Sequence, residues 1–225
     1  MHIEPVDFNP PLTLSFDGKT HEYDDVYTFS FSGSVPFRAG QNARVVVPTL
    51  PHEESARSLS FASVPWSDEV LFSMHVGSDT LYKQAFSALT EGDTVQVVRV
   101  KGQTVIDGAD TVCIAGGVGV TPFRSILLDA HQKEFDRNIT LIHVSSDTYL
   151  FEEDLQHLPY EQHRLRRTDV IDAVQDVVAR FLDARYLMAG SPSFLEGVSG
   201  YLKNAGVSDE QIVMSTFKGY DSFLD

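Results

Sequence analysis

The stretch TVCIAGGVGVTPFRSILLDA, residues 111–130, is an apolar run that breaks into glycines and resumes as an amphipathic pattern behind a Thr-Pro pair. Val112 to Ala115 are β-branched or small and nearly free of polar groups, as suits a strand buried on both faces of a parallel sheet. Gly116, Gly117 and Gly119 then let the chain turn tightly and let a ligand approach the backbone. Thr121 is expected to cap the next helix with Pro122 at its first position, and Phe123, Ile126, Leu127 and Ala130 follow at helical spacing. Strand, glycine loop and capped helix together gather unpaired N–H groups and the positive end of a helix dipole, which favours a phosphate without any basic side chain. A tight turn that binds nothing fits the same residues, and so do other α/β nucleotide binders such as a glycine-loop methyltransferase.

The rest of the chain sets this turn in context. Its 225 residues suffice for one large domain or two smaller ones. The opening MHIEPVDFNP lacks the basic and apolar regions of a signal peptide, and no apolar run reaches the roughly 20 residues of a membrane span, so a cytoplasmic protein without membrane association is expected. The single cysteine, Cys113, lies inside the apolar strand and reads as core packing, with no cysteine set for an iron-sulfur cluster and no metal site expected. A formal charge of −15 argues against nucleic acid as a partner and fits salt adaptation as well as it fits a binding surface.

Two halves differ in rhythm. VYTFSFS, ARVVV, VLFSMHV and TVQVVRV alternate as short strands separated by Gly, Pro and Asp, which predicts an antiparallel barrel. One helix interrupts it, with Thr80 as its cap and Tyr82, Ala85, Phe86 and Leu89 on one face. Beyond about Gly108, TVCIA, ITLIHV, RYLMA and QIVMS alternate with helices at 122–131, near 170–182 and from Pro192, with Gly206 as a stop. That alternation predicts a doubly wound, mainly parallel sheet whose ligands sit at the carboxyl ends of its strands.

Further motifs complete the pattern. RSLS at 57–60 sets an arginine and serines on a barrel strand, YLMAGSPSF repeats the strand-to-helix logic at Gly190 and Pro192, and FKGY at 217–220 supplies two aromatics that can cover a flat ring. Taken in order across about residues 20–220, these motifs resemble the ferredoxin-NADP(+) reductase family of flavoproteins. The family's flavin motif, glycine loop, second loop and terminal aromatic motif appear here as Arg57-Ser58-Leu59-Ser60, Gly116 to Pro122, Ala189 to Pro192 and Phe217 to Tyr220.

The resemblance implies an FAD-binding β-barrel over residues 1–104 and an NAD(P)-binding α/β domain over 105–225. It implies hydride transfer from NADH or NADPH to FAD and passage of electrons to a separate acceptor such as a small redox protein; FMN in place of FAD and a non-catalytic binding module of the same fold stay open. By the same resemblance, Arg57 binds the flavin pyrophosphate, Leu59 lies against the isoalloxazine with Ser58 also contacting the cofactor, and Ser60 hydrogen-bonds near N5 as the catalytic group. His75 and Val76 contact the flavin, and Thr80 with Leu81 at the start of its helix takes the pyrophosphate. Gly116, Gly117, Gly119 and Thr121 hold the nicotinamide nucleotide's pyrophosphate, with Ser145 toward its adenosine end, Gly190 and Pro192 toward its nicotinamide, and Phe217 and Tyr220 over the flavin.

The chain departs from the family pattern at three places: Leu59 replaces an aromatic, Ala189 a cysteine, and Ser215 a glutamate. The run HVSSDTYLFEEDL after the second α/β strand offers Ser145, Ser146 and Asp147 with no arginine before the next helix. An acid there repels a 2′-phosphate and accepts from a ribose hydroxyl, which tilts the expectation toward NADH.

Overall fold

The computed structural model describes residues 3–77 and 80–216. The chain divides into two compact units, Met1–Gln103 and Thr104–Asp225.

The first unit is a curled antiparallel sheet. Its strands are β1 (Val6–Tyr23), β2 (Val26–Ser32), β3 (Asn42–Val46), β4 (Ala56–Ser60), β5 (Glu69–His75) and β6 (Thr94–Lys101), in the spatial order β4-β3-β6-β1-β2-β5. The two ends of this order meet just beyond β4, where Phe61 bridges Phe72 and the Ala62 amide donates to the Leu71 carbonyl at 2.9 Å. The sheet thus rolls toward a barrel, as the alternating strands predict, and Phe16, Phe29, Phe31, Val70 and Phe72 fill its core. Helix α1 (Leu81–Ser87) adds Tyr82 and Phe86 to that core, with Phe86 edge-on to Phe29 at 4.8 Å between centroids. The long β1 is absent from the sequence reading because Pro10 and Pro11 interrupt its pattern; the β1–β6 register shifts between Asp7 and Leu12 to accommodate them.

The second unit is a five-stranded parallel sheet. Its elements are β7 (Thr111–Gly116), α2 (Thr121–Gln132), β8 (Ile139–Val144), α3 (Glu152–Leu155), β9 (Glu161–Leu165), α4 (Val170–Arg180), β10 (Arg185–Gly190), α5 (Pro192–Asn204) and β11 (Ile212–Thr216). The order is β11-β10-β7-β8-β9, so β7-α2-β8 steps one way along the sheet and β10-α5-β11 steps the other. Right-handed crossovers in opposite directions put α2 and α5 on opposite faces. Val112, Ile114, Ile142 and Met188 pack with α4 and α5, while Cys113, Leu141 and Leu187, which alternate with them, are buried on the other face. Gly206, with φ +98°, ends α5 as expected, its amide donating to Lys203 O and that of Val207 to Leu202 O. Strand β9 and the short α3 are additions: Glu161-Gln162-His163-Arg164-Leu165 is a charged edge strand with no apolar alternation to reveal it. Among the described residues no helix is long and apolar enough to cross a membrane.

Candidate functional site

In the second unit the strand order reverses between β7 and β10, and the loops after those two strands pack against each other. A Cβ on Gly119 would lie 2.2 Å from the Ala189 carbonyl oxygen, so the first loop rests directly on the backbone of the second. Gly116 and Gly190 are packed as closely against the Phe194 ring, at 2.9 Å and 2.8 Å from a Cβ on each. Three of the four glycines expected to receive a ligand are therefore required by the contact between the loops and Phe194. Gly117 differs: its φ is +53° and, among the described residues, nothing lies within 4 Å of a Cβ placed there.

A 3-10 turn, Gly117–Val120, runs straight into α2. Thr121 does not cap that helix, as the sequence suggests, but opens it; its hydroxyl donates to the Val118 carbonyl at 2.6 Å and is buried. Two successive carbonyls are thereby turned inward, since Gly117 O accepts from the Nε2 of His143 at 3.0 Å. In a planar trans peptide the N–H points opposite to the C=O, so the Val118 and Gly119 amides face away from these partners. The 3-10 turn is the true start of this helix, so its opening amides, Gly117 and Val118, have no intrahelical acceptor and could receive an anion. On the other side of the sheet's switch point, Ser191 caps α5 by accepting from the Phe194 amide at 3.3 Å, with Pro192 in the first turn.

His143 is buried in β8, and burial pushes its imidazole down to about 4 despite the opposing hydrogen bond to Gly117. The ring is neutral at physiological pH, packs edge-on to Tyr149 at 5.3 Å, and stood in the sequence as the one polar ring in an apolar strand. At the next loop the Ser145 hydroxyl donates to Thr148 O at 2.6 Å, and its amide to Leu165 O at 3.0 Å. Arg166, just beyond β9, reaches the exposed Asp147 carboxylate at 3.5 Å. The sequence shows no arginine near Asp147; the neighbouring strand delivers one through space.

In the first unit, β4 turns Arg57 and Ser58 to solvent, while Leu59 and Ser60 are buried, Leu59 within the barrel core. The Arg57 guanidinium lies 5.4 Å from the centroid of the Tyr82 ring in the first turn of α1, and Thr80 caps that helix by accepting from the Lys83 amide at 3.5 Å. Arg57 and the start of α1 are thus brought together. Arg44, paired across β3–β4 with Ser58, adds a second cation near Tyr82. Leu81 is exposed beside the cap.

His75 and Val76 are held by a residue the sequence did not single out. Asp25, in the β1–β2 turn, accepts from His75 Nδ1 at 2.6 Å and from the Gly77 amide at 2.7 Å, and its carbonyl accepts from the Val76 amide at 2.8 Å. Burial would raise the Asp25 carboxyl, but these hydrogen bonds outweigh it and hold the group below its ordinary range. Phe217 and Tyr220 lie outside the described residues.

A cavity of about 700 Å³ lies elsewhere in the second unit, lined by His131, Arg137, Thr140, Tyr160 and Phe181 among others. It opens where β8 begins and where α2 and α4 end, so the helix termini there present carbonyls, the wrong polarity for a phosphate.

No family model matches the chain. It is 27% identical over 209 residues to a flavohemoprotein of Bacillus subtilis (strain 168), covering 80% of this chain and 51% of that protein. The chain thus spans about half the length of that relative. It is 28% identical over 175 residues to the flavodoxin/ferredoxin–NADP reductase of Escherichia coli (strain K12), covering 76% of this chain and 68% of the relative. Among solved structures, a ferredoxin NADP+ reductase from Neisseria gonorrhoeae with bound FAD and NADP superposes with a TM-score of 0.75 at 20% identity, over 91% of this chain and 97% of that one. With the two-unit fold and the paired loops at the sheet's switch point, the chain shares the fold of the ferredoxin NADP+ reductase structure and is similar in sequence to ferredoxin-NADP reductases and flavohemoproteins.

Proposed function

We propose that the chain is a flavin-dependent NAD(P)H oxidoreductase that takes hydride from a nicotinamide onto FAD and passes electrons to a separate acceptor. One observation carries this reading. In a chain with 32 acidic residues, α3 and α4 carry carboxylates in their first turns, whereas α1, α2 and α5 carry none. Acids are the favoured side chains at helix N-termini, so their absence leaves three positive ends available to an external anion. These are the three ends at which the resemblance places pyrophosphate or nicotinamide.

In this reading the exposed Arg57 guanidinium, with the amides at Thr80 and Leu81, binds the flavin pyrophosphate, and Arg44 strengthens the local positive field. Ser58, Leu59, Ser60, His75 and Val76 form the flavin's bed, Ser60 supplying a hydroxyl near the reacting nitrogen and Asp25 fixing the 75–77 segment. The backbone at Gly116, Gly117, Gly119 and Thr121 carries the nicotinamide nucleotide's pyrophosphate. Gly190 and Pro192 stand at its nicotinamide end. Bound FAD supplies two-electron acceptance and stepwise electron release; the protein supplies orientation and hydrogen bonds. NADH is the proposed donor: Asp147 accepts from the adenosine ribose beside Ser145, held by its ion pair with Arg166. The acceptor is a separate molecule, either a small redox protein or a low-molecular-weight oxidant.

The burial of Leu59 and Ser60 favours one second reading, a non-catalytic binding module of the same fold. Flavin retention separates the two and tests the first. Arg57→Ala is expected to weaken FAD binding about ten-fold, the loss of one charge-assisted contact to phosphate, with little change in Tm. Fluorescence titration of apoprotein with FAD reads it, and a wild-type chain that takes up no FAD would leave the binding module in place of the reductase.

A further inference from the structure

We propose that His143 is a positioning residue for nucleotide binding: its ring fixes the direction of the Gly117–Val118 peptide and so aims the loop's amides at the pyrophosphate. The inference rests on the proposed nucleotide site of the second unit and adds to it a residue that touches no ligand. His143 is 3% exposed and its Nε2 lies 3.0 Å from Gly117 O. A carbonyl oxygen has no proton, so Nε2 carries the hydrogen of the shared bond.

That bond has a geometric consequence because of where Gly117 sits. The residue occupies the left-handed region at φ +53°, and among the described residues nothing lies within 4 Å of a Cβ placed on it. Among the described residues His143 is the side chain that holds its inner side, while the following carbonyl, Val118 O, accepts from both the Thr121 hydroxyl at 2.6 Å and the Thr121 amide. With the Gly117 carbonyl held by His143, the Val118 amide of the same peptide is directed to the opposite side, while the Gly119 amide serves the 3-10 turn. Gly119 cannot take part in any compensating shift, since it already rests on the Ala189 carbonyl. His143 thus adds a side-chain restraint on the Gly117–Val118 peptide to the backbone bonds of the 3-10 turn. The ring is itself fixed, packed edge-on to Tyr149 at 5.3 Å within a strand hydrogen-bonded to β7 and β9.

Two substitutions separate positioning from packing. His143→Leu keeps an apolar side chain in the strand but removes the donor. His143→Gln places an amide N–H near the position of Nε2 and restores it. ADP-ribose, which carries the pyrophosphate without a nicotinamide, is titrated calorimetrically into each full-length protein, and Tm and FAD content are measured alongside. The expected result is an affinity loss of about ten-fold or more for His143→Leu, recovery to within about three-fold of wild type for His143→Gln, and unchanged FAD content. Wild-type affinity in His143→Leu would overturn the inference. So would equal losses in the two variants, because the ring would then act only by its shape. A wild-type protein that fails to bind ADP-ribose at all would instead overturn the nucleotide reading of the second unit, a failure the variants' comparison cannot mimic.

Discussion

Gly119→Ala is expected to destabilise the second unit by about 3 kcal/mol and lower its Tm by roughly 10 °C, although the substitution adds a single methyl group. The methyl carbon would sit 2.2 Å from the Ala189 oxygen and 2.7 Å from the Ala189 carbonyl carbon, both backbone atoms of a central strand. Backbone in the middle of a sheet cannot swing aside as a side chain can, so one loop must lift off the other. Gly197→Ala is the control, because that position in α5 has nothing within 4 Å of its Cβ. Removing a glycine from a helix interior stabilises by up to about 1 kcal/mol. Thermal unfolding by circular dichroism reads both. An unchanged Tm in Gly119→Ala would mean that the two loops are not in contact.

Two residues earlier the expectation reverses. Gly117→Glu meets open space rather than backbone, so its structural cost is the positive φ alone, about 1 kcal/mol. Its functional cost is larger. The new carboxylate stands over the amides that face outward from the loop, replaces the external anion and repels any second one. Nucleotide affinity is expected to fall at least about 100-fold, equivalent to about 2.7 kcal/mol, while FAD stays bound. Titration with ADP-ribose and the flavin absorbance of the purified variant check the two halves of this expectation. Loss of flavin with nucleotide binding spared would reverse the roles of the two units.

The contrast between these neighbours shows what the sequence carries and what it does not. The run at 111–130 announces a strand, a turn and a helix because each depends on local residue types, and the switch from period-two to helical spacing near Gly108 separates the two units. The reasons for individual glycines are not local: Gly116, Gly119 and Gly190 answer to Phe194 and Ala189, which only the sheet order brings near. Thr121 reads as a cap from its neighbours, but a 3-10 turn feeds the helix directly and its hydroxyl serves the loop instead. Asp25 lies in a hairpin turn fifty positions from His75, and Arg166 meets Asp147 only because β9 pairs beside β8. Strand β9 itself was hidden by its charges. Long-range pairing, rather than residue type, separates the legible residues from the missed ones. His143 is the exception, since a lone imidazole in an otherwise apolar strand is a visible anomaly.

The most direct test is the visible spectrum of the FAD-loaded protein before and after NADH or NADPH is added without oxygen. The expected result is flavin bands near about 370 and 450 nm that bleach on addition, faster with NADH than with NADPH, because the proposed function has hydride pass from the nicotinamide to the flavin. A protein that holds FAD but shows no bleaching with either nucleotide would contradict the proposed oxidoreductase activity.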